Sequence, residues 1–399
     1  MSLTLSQCPE SFKYASSDYS DDDVNPFSLV CSSLTVTMFW LGVGFALASL
    51  PIVSSALNIT VLQPNVSFVP TPLPAPFAAR NADAIASAFS NLGRTTVWNL
   101  IRAIPLQGDL WEPEGMVRIG ADRIVISAGE YTSATVTYGK DTNGTSVIIN
   151  GTDRSAGSGF AHLVVFDGNG TRIADATISE AGSEEYHNGG IDYDGEYIWA
   201  TIAQYRPNTT ATLVRVDPST LEPTPLYRIA DHQGGVVHDT ETEKLYTLNW
   251  GSRNSSVFPS CPDGGFYSAT FTRPAEVRRN PSYFVDYQDC KFLGHPKLYD
   301  RRSTMICSGV ATIGSGNSSY NLGGIALVDT ETMVPVAEVP ITLSSELGQR
   351  ITQNPMDVDV VDGRLRLYWL PDQHNSTLYI YEAQPDSPFE YGGEGGAVW

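Results

Sequence analysis

The sequence predicts an all-β fold, a five-bladed β-propeller closed by an N-terminal strand, and three observations carry that expectation. First, 35 Gly, 25 Pro, 19 Tyr and 7 Trp accompany only 17% charged residues, a composition that favours strands joined by tight turns. Second, one pattern recurs at 114–131, 189–205, 234–251, 289–309 and 354–372: a tight turn, a short apolar strand, a polar or Asp-Gly turn, and a second strand. Third, the last copy is short of one strand, while TVWNLIRAIPL (96–106) precedes the first copy without a partner. Joining the two chain ends in one blade closes the ring and removes exposed sheet edges.

The chain before the propeller reads in two parts. Residues 1–57 contain the apolar run VTMFWLGVGFALASLPIVSSAL (36–57), a signal peptide or signal anchor. Its upstream flank carries Glu10, Asp18, Asp21, Asp22 and Asp23 against Lys13, the reverse of a basic leader, so translation starting at Met38 is an alternative to Met1. Residues 58–94 hold the Pro-rich FVPTPLPAPF and a short helix ending at Gly93, read as a stalk or wrap. The propeller is expected over 95–385, with 386–399 as an acidic, Gly-rich tail.

Within the propeller, the first unit is lengthened by the polar insertion GKDTNGTSVIINGTDRSAGSG (139–159). A sixth blade arises if that insertion forms its own sheet. Asp194-Gly195 and Asp362-Gly363 read as turn residues. Asp192 and Asp357 fall on innermost strands, where a carboxylate needs hydration or a cation, so a structural calcium in the channel is one expectation.

Charge and modification patterns set the compartment. A formal net charge of −20 without a basic cluster excludes nucleic acid as a partner. Sequons begin at Asn58, Asn65, Asn143, Asn150, Asn169, Asn208, Asn254, Asn317 and Asn375, all downstream of the apolar run, which implies a secreted glycoprotein. Membrane association is expected only if the apolar segment stays uncleaved, and the protein is expected to be a monomer. Of the downstream cysteines, Cys261 and Cys290 are expected to pair, leaving Cys307 as a buried thiol.

The chemistry rests on an echo. HNGGIDYDGEYIW (187–199) and HQGGVVHDTETEKLY (232–246) both spell His-x-Gly-Gly before a short strand. In a propeller that position rings the channel mouth, so Glu112, His187, His232, Tyr287 and Thr352 align there, with Glu114 or Gln288 substituting if the register slips. His187, His232 and Glu114 are the candidate catalytic residues and the candidate ligands of a divalent metal, calcium or zinc. Tyr205, Arg206, Arg253, Gln288 and Asn354 are candidate ligand-binding residues on the same face, the arginines clamping an anion. His238, His295 and His374 read as loop residues.

PEGMVRIGADRIVIS, HNGGIDYDGEYIWATIAQYRPN, HQGGVVHD, NWGSR, YQDC and NPMDV resemble a propeller-type family of unknown function found in bacteria and fungi, over about residues 95–385. A looser similarity links EGMVRIGADRIVIS, GGIDYDGEYIWATIA and LVRVDPSTLE to plant-type glutaminyl cyclases and to lactonase and strictosidine-synthase-like propellers. No cyclase catalytic motif is matched, and Glu114 is the one position similar to the metal-binding Glu of the lactonase group. The expected function is a funnel for a small anionic or sugar-like ligand, serving a metal-assisted hydrolase, lyase or cyclase. The alternative is a non-catalytic propeller binding a glycan or an extracellular protein.

Overall fold

The computed structural model describes residues 57–384, apart from 94, 263–266, 283–284 and 315–317. The apolar run up to residue 56, both candidate start methionines, the sequon at Asn317 and the tail from 385 lie outside the described residues.

Five antiparallel sheets form the ring. Blade 1 runs outward through Glu112–Arg118, Arg123–Ser133, Ser158–Asp167 and Arg172–Thr177. Blade 2 comprises Glu185–Asn188 with Asp192–Tyr193, then Ile198–Gln204, Ala211–Asp217 and Glu222–Ile229. Blade 3 uses Gln233–Asp239, Lys244–Asn249, Asn254–Pro259 and Glu276–Arg279, and blade 4 uses Asp286–Gly294, Thr304–Ile313, Tyr320–Asp329 and Pro335–Ile341. Blade 5 contains Met356–Val361, Arg364–Trp369 and Thr377–Gln384, and its outer strand is Val97–Pro105, paired from Val97↔Gln384 to Pro105↔Thr377. The first and last strands of the ring therefore share a blade, as the strand count requires. The insertion contributes only isolated bridges such as Thr137↔Arg154 and Lys140↔Ser146, so no sixth blade forms.

Local chemistry repeats with the blades. Asp167, Asp194, Asp217, Asp239 and Asp329 each use a carboxylate oxygen to accept the amide N–H two residues ahead, which closes the turn between strands. Between blades, alternate side chains bury completely, among them Tyr186, Tyr246, Phe258 and Trp369. Burial of this apolar surface is the main favourable term in folding.

Residues 58–93 pack onto the ring and do not stand off as a stalk. Asn58–Val61 adds a fifth strand to blade 1, in register from Asn58↔Thr177. Val69 buries against blades 1 and 2. Two helices follow, α1 (Phe77–Arg80) and α2 (Ala82–Ser90), whose Ala78, Ile85 and Phe89 pack against blades 4 and 5.

Charged side chains of the innermost strands fill the axis. Asp289 accepts the amides of Met116 (3.1 Å) and Met356 (2.9 Å), Asp357 that of Arg118 (2.7 Å), and Asp192 those of His238 (3.1 Å) and Phe292 (3.2 Å). Lys291 Nζ donates to Asp289 at 2.6 Å and to the Ile191 carbonyl at 2.8 Å. Arg118, held between the rings of Phe77 and Tyr368, pairs with Asp359 at 3.4 Å. The compensation expected from a calcium at Asp192 and Asp357 thus comes from protein groups. Below this layer α1 covers a cavity of about 10 Å³.

Cys290 bonds to Cys307, directly opposite it on the adjacent strand with Cα atoms 4.1 Å apart, and Cys261 is itself disulfide-bonded. The proposed Cys261–Cys290 pair and the free thiol at Cys307 are therefore both wrong, because cross-strand neighbours in one sheet lie closer than the ends of two blades. His238 is not a loop residue either. It is buried on the innermost strand of blade 3, where Nδ1 lies 2.9 Å from Asp194.

Candidate functional site

The doubled His-x-Gly-Gly has a physical cause. At the narrow end of the ring the innermost strands of blades 2 and 3 touch backbone to backbone: the Gly190 amide donates to the Gly234 carbonyl at 2.9 Å, and Gly190 and Gly235 form a parallel bridge. A Cβ on Gly189 would sit 2.3 Å from that carbonyl, so only glycine allows the approach. The histidine two residues earlier in each copy is thereby fixed at the rim. Their rings lie 5.4 Å apart, centroid to centroid.

Above this neck opens a funnel of about 240 Å³ whose wall includes Glu112, Glu114, His187, Tyr205, His232 and Trp250. Glu112, Glu114 and His187 each bring a ligand-type atom within 4.8 Å of the others. His187 Nε2 is 3.7 Å from Glu114, while Nδ1 is buried without a partner. Glu112 accepts from Gln373 Nε2 at 2.9 Å, and its other oxygen is buried and unpaired. The His187 ring stacks on Tyr205 at 5.0 Å, and His232 meets Trp250 edge-on at 4.9 Å.

Electrostatics separate the two imidazoles. Burial opposes charge on His187, but hydrogen bonding and attraction from Glu114, with further attraction from Glu112, outweigh it and raise its pKa. For His232, burial, reinforced by repulsion from His187, pushes the pKa down to about 3. Its Nδ1 lies 2.7 Å from the Gln204 carbonyl, which fixes the tautomer with the proton on Nδ1 and leaves Nε2 a lone pair. Burial and the neighbouring Glu114 push Glu112 up to about 8.

A family model described as "Family of unknown function (DUF6454)" matches residues 73–386. The chain belongs to that family. No curated protein matches. Among solved structures the chain is similar to a luciferin-regenerating enzyme (12% identity, 72% of this chain and 95% of that one, TM-score 0.38). It is also similar to the WD40 domain of Toxoplasma gondii coronin (8%, 75% and 88%, TM-score 0.30). A third likeness is to the β-propeller domain of the Pyrococcus furiosus Trilobed protease (10%, 69% and 69%, TM-score 0.25).

Of the residues singled out from the sequence of this family member, Glu114, His187, His232, Tyr205, Gln288 and Asn354 all line the funnel. The two arginines do not. Arg206 turns to Glu184 (3.1 Å), and Arg253 spends its guanidinium on Asp286, Ser282 and Gly251. They follow the turn after the second strand, and that turn folds each back onto its own blade or the next.

In the cluster of potential metal ligands, Glu112 stands where the sequence reading placed His232. The sequence put Glu112 at the rim but chose Glu114 as the acid. Residues two apart on a strand share a face, so Glu112 and Glu114 can both face the funnel, and the register shift between Pro113 and Gly115 falls at Glu114. Trp250, Gln353 and Gln373 were missed, although NWGSR ends a second strand on the correct face. Arg154 carries no sequence signal of its own.

Proposed function

We propose that this protein is an extracellular, N-glycosylated propeller whose funnel holds a divalent cation on Glu112, Glu114 and His187 and binds a small sugar-like molecule for metal-assisted hydrolysis, elimination or cyclisation. One observation carries the reading: two buried carboxylates and an imidazole converge, with a Glu112 oxygen and His187 Nδ1 still lacking partners. Buried polar groups without partners are costly and point to something that satisfies them. Imidazole among the donors favours zinc over calcium. Such an ion, when bound, supplies Lewis acidity.

The chain's own groups have separable tasks. His232, neutral and held by the Gln204 carbonyl, offers Nε2 as a proton acceptor. Tyr205 and Trp250 give an apolar face against which a sugar ring can lie, and the side-chain amides of Gln288, Gln353 and Asn354 suit hydroxyl groups. The volume, below the about 300–1,000 Å³ of drug-sized sites, favours a small ligand. Two carboxylates and an imidazole buried together in the funnel favour an enzyme over a glycan-binding surface.

Extracellular residence is supported by the oxidised cysteines and by the exposure of Asn58, Asn65, Asn143, Asn150, Asn169, Asn208 and Asn375. Among the described residues no helix is long and apolar enough to cross a membrane. Calorimetric titration of the purified chain with zinc tests the site. The expected result is one equivalent bound, with affinity at least about tenfold lower in Glu112→Gln. Failure of the native chain to take up zinc, calcium or manganese would refute the metal reading.

A further inference from the structure

We infer that the ligand of the funnel carries a carboxylate, and that Arg154, on the insertion between the second and third strands of blade 1, is the specificity-determining residue that receives it. The inference deepens the sugar-binding reading by naming its class, an acidic sugar, and rests on the funnel being the ligand site.

Arg154 is placed by construction. The insertion folds back on itself through the Thr137↔Arg154 bridge and reciprocal bonds between Val136 and Ser155. It is pinned to blade 2 where Asn208 Nδ2 donates to the Gly151 carbonyl at 2.7 Å. This anchoring sets the Arg154 guanidinium 4.6 Å from the centroid of Trp250 and 5.6 Å from that of Tyr205, two rings of the funnel wall.

The guanidinium has two bidentate edges. Asp153 occupies the side-on edge, receiving Nε at 2.9 Å and Nη2 at 3.2 Å. The end-on edge has no partner among the described residues, and the side chain is 18% exposed, so that edge is available to solvent or ligand. A planar carboxylate matches it in fork geometry. A dianionic phosphate suits it less well, because the funnel already holds Glu112 and Glu114 and, among the described residues, no further Lys or Arg lines it to share a second charge. Asp153 also fixes the rotamer in advance, so little side-chain entropy remains to be lost on binding.

Calorimetry on the full chain, with and without added zinc, tests the inference with D-glucuronate and D-glucose, which differ at one carbon. Glucuronate is expected to bind at least about tenfold more tightly than glucose, the scale of a charge-assisted fork. Arg154→Gln should bring the ratio to about one while leaving zinc stoichiometry unchanged, and Arg154→Lys should keep part of the preference. A trimer of galacturonate distinguishes two sources of the same chemistry: tighter binding than the monomer assigns a polymer end, weaker binding a free sugar acid. Equal affinities in the native chain, binding of neither sugar, or a preference that survives Arg154→Gln overturns the inference. An Arg154-dependent preference without zinc uptake strikes only the metal reading.

Discussion

Replacing Lys291 by Met removes the ammonium from the axis while keeping most of the stem, which isolates the electrostatic role. Lys291 and Asp289 are 3% and 0% exposed, and Nζ donates to Asp289 (2.6 Å), Ile191 (2.8 Å) and the Cys290 carbonyl (3.1 Å). Taking one partner from a buried ion pair costs about 3–5 kcal/mol, a large share of the roughly 5–15 kcal/mol available to a folded protein. Burial already lifts Asp289 to about 6 and Asp192 to about 7, with Lys291 pulling both down. Without it both rise further above the roughly 3.9 of an unfolded Asp, so the folded variant takes up protons that the unfolded chain does not. Its stability then falls as pH rises through that window, at up to about 1.4 kcal/mol per unit for each such group, and the full penalty stands only above the folded pKa. Guanidinium unfolding followed by tryptophan fluorescence should show Lys291→Met less stable by about 4 kcal/mol at pH 8, with the deficit at least about 1 kcal/mol smaller at pH 5. A deficit under about 1 kcal/mol at pH 8, or one that does not change with pH, refutes the charge-compensation argument.

Gly189→Ala, whose Cβ would meet the Gly234 carbonyl at 2.3 Å, should lower stability by about 3 kcal/mol or prevent folding, whereas Gly235→Ala, with nothing nearer than 3.7 Å, should cost under about 1 kcal/mol; melting temperatures compare them. Asp194 is held below the usual carboxylate range because, although burial opposes it, bonds from His238, the Tyr197 and Glu196 amides and Trp199 prevail. Its stabilisation is present above the unfolded pKa and lost as pH falls through the folded one, so Asp194→Asn should cost about 1–3 kcal/mol at pH 7 in denaturant titrations, and the gap should narrow below about pH 4. Replacing Cys290 and Cys307 together by Ala opens a loop of sequence separation 17 and should cost about 3 kcal/mol, while non-reducing peptide mapping of the native chain should find those two joined.

The closure strand and the five inner turns were legible because they are local patterns with a count attached: 97–105 had no other sheet to join, and blade 5 lacked one strand. Eight funnel residues, Glu112 and Tyr287 among them, were legible for the same reason, since repetition projects equivalent positions onto one mouth. What failed depends on three-dimensional proximity without periodicity. The cysteine pairing turned on direct opposition within one blade, the arginines on turns that fold back, and Arg154 on an insertion outside the repeat. Nor does the sequence announce that Asp289 serves two blades at once, because its partners Met116 and Met356 lie 173 and 67 residues away.

The acids of the axis answer a problem the ring creates. Innermost strands of neighbouring blades make little ladder with one another around the axis, the Gly190–Gly235 bridge aside, so their inner amides face a space too narrow to hydrate freely. Leaving one such N–H unpaired costs about 1–3 kcal/mol. Asp192, Asp289 and Asp357 satisfy the amides of Met116, Arg118, His238, Phe292 and Met356, and the negative charge so introduced demands Lys291 and Arg118. A propeller with apolar residues there would leave those donors orphaned, and one with glycine alone would leave a pore. The charged layer therefore makes the funnel blind. A molecule at Glu112 and His187 has the mouth as its way in and out, and that mouth is flanked by the insertion that carries Arg154.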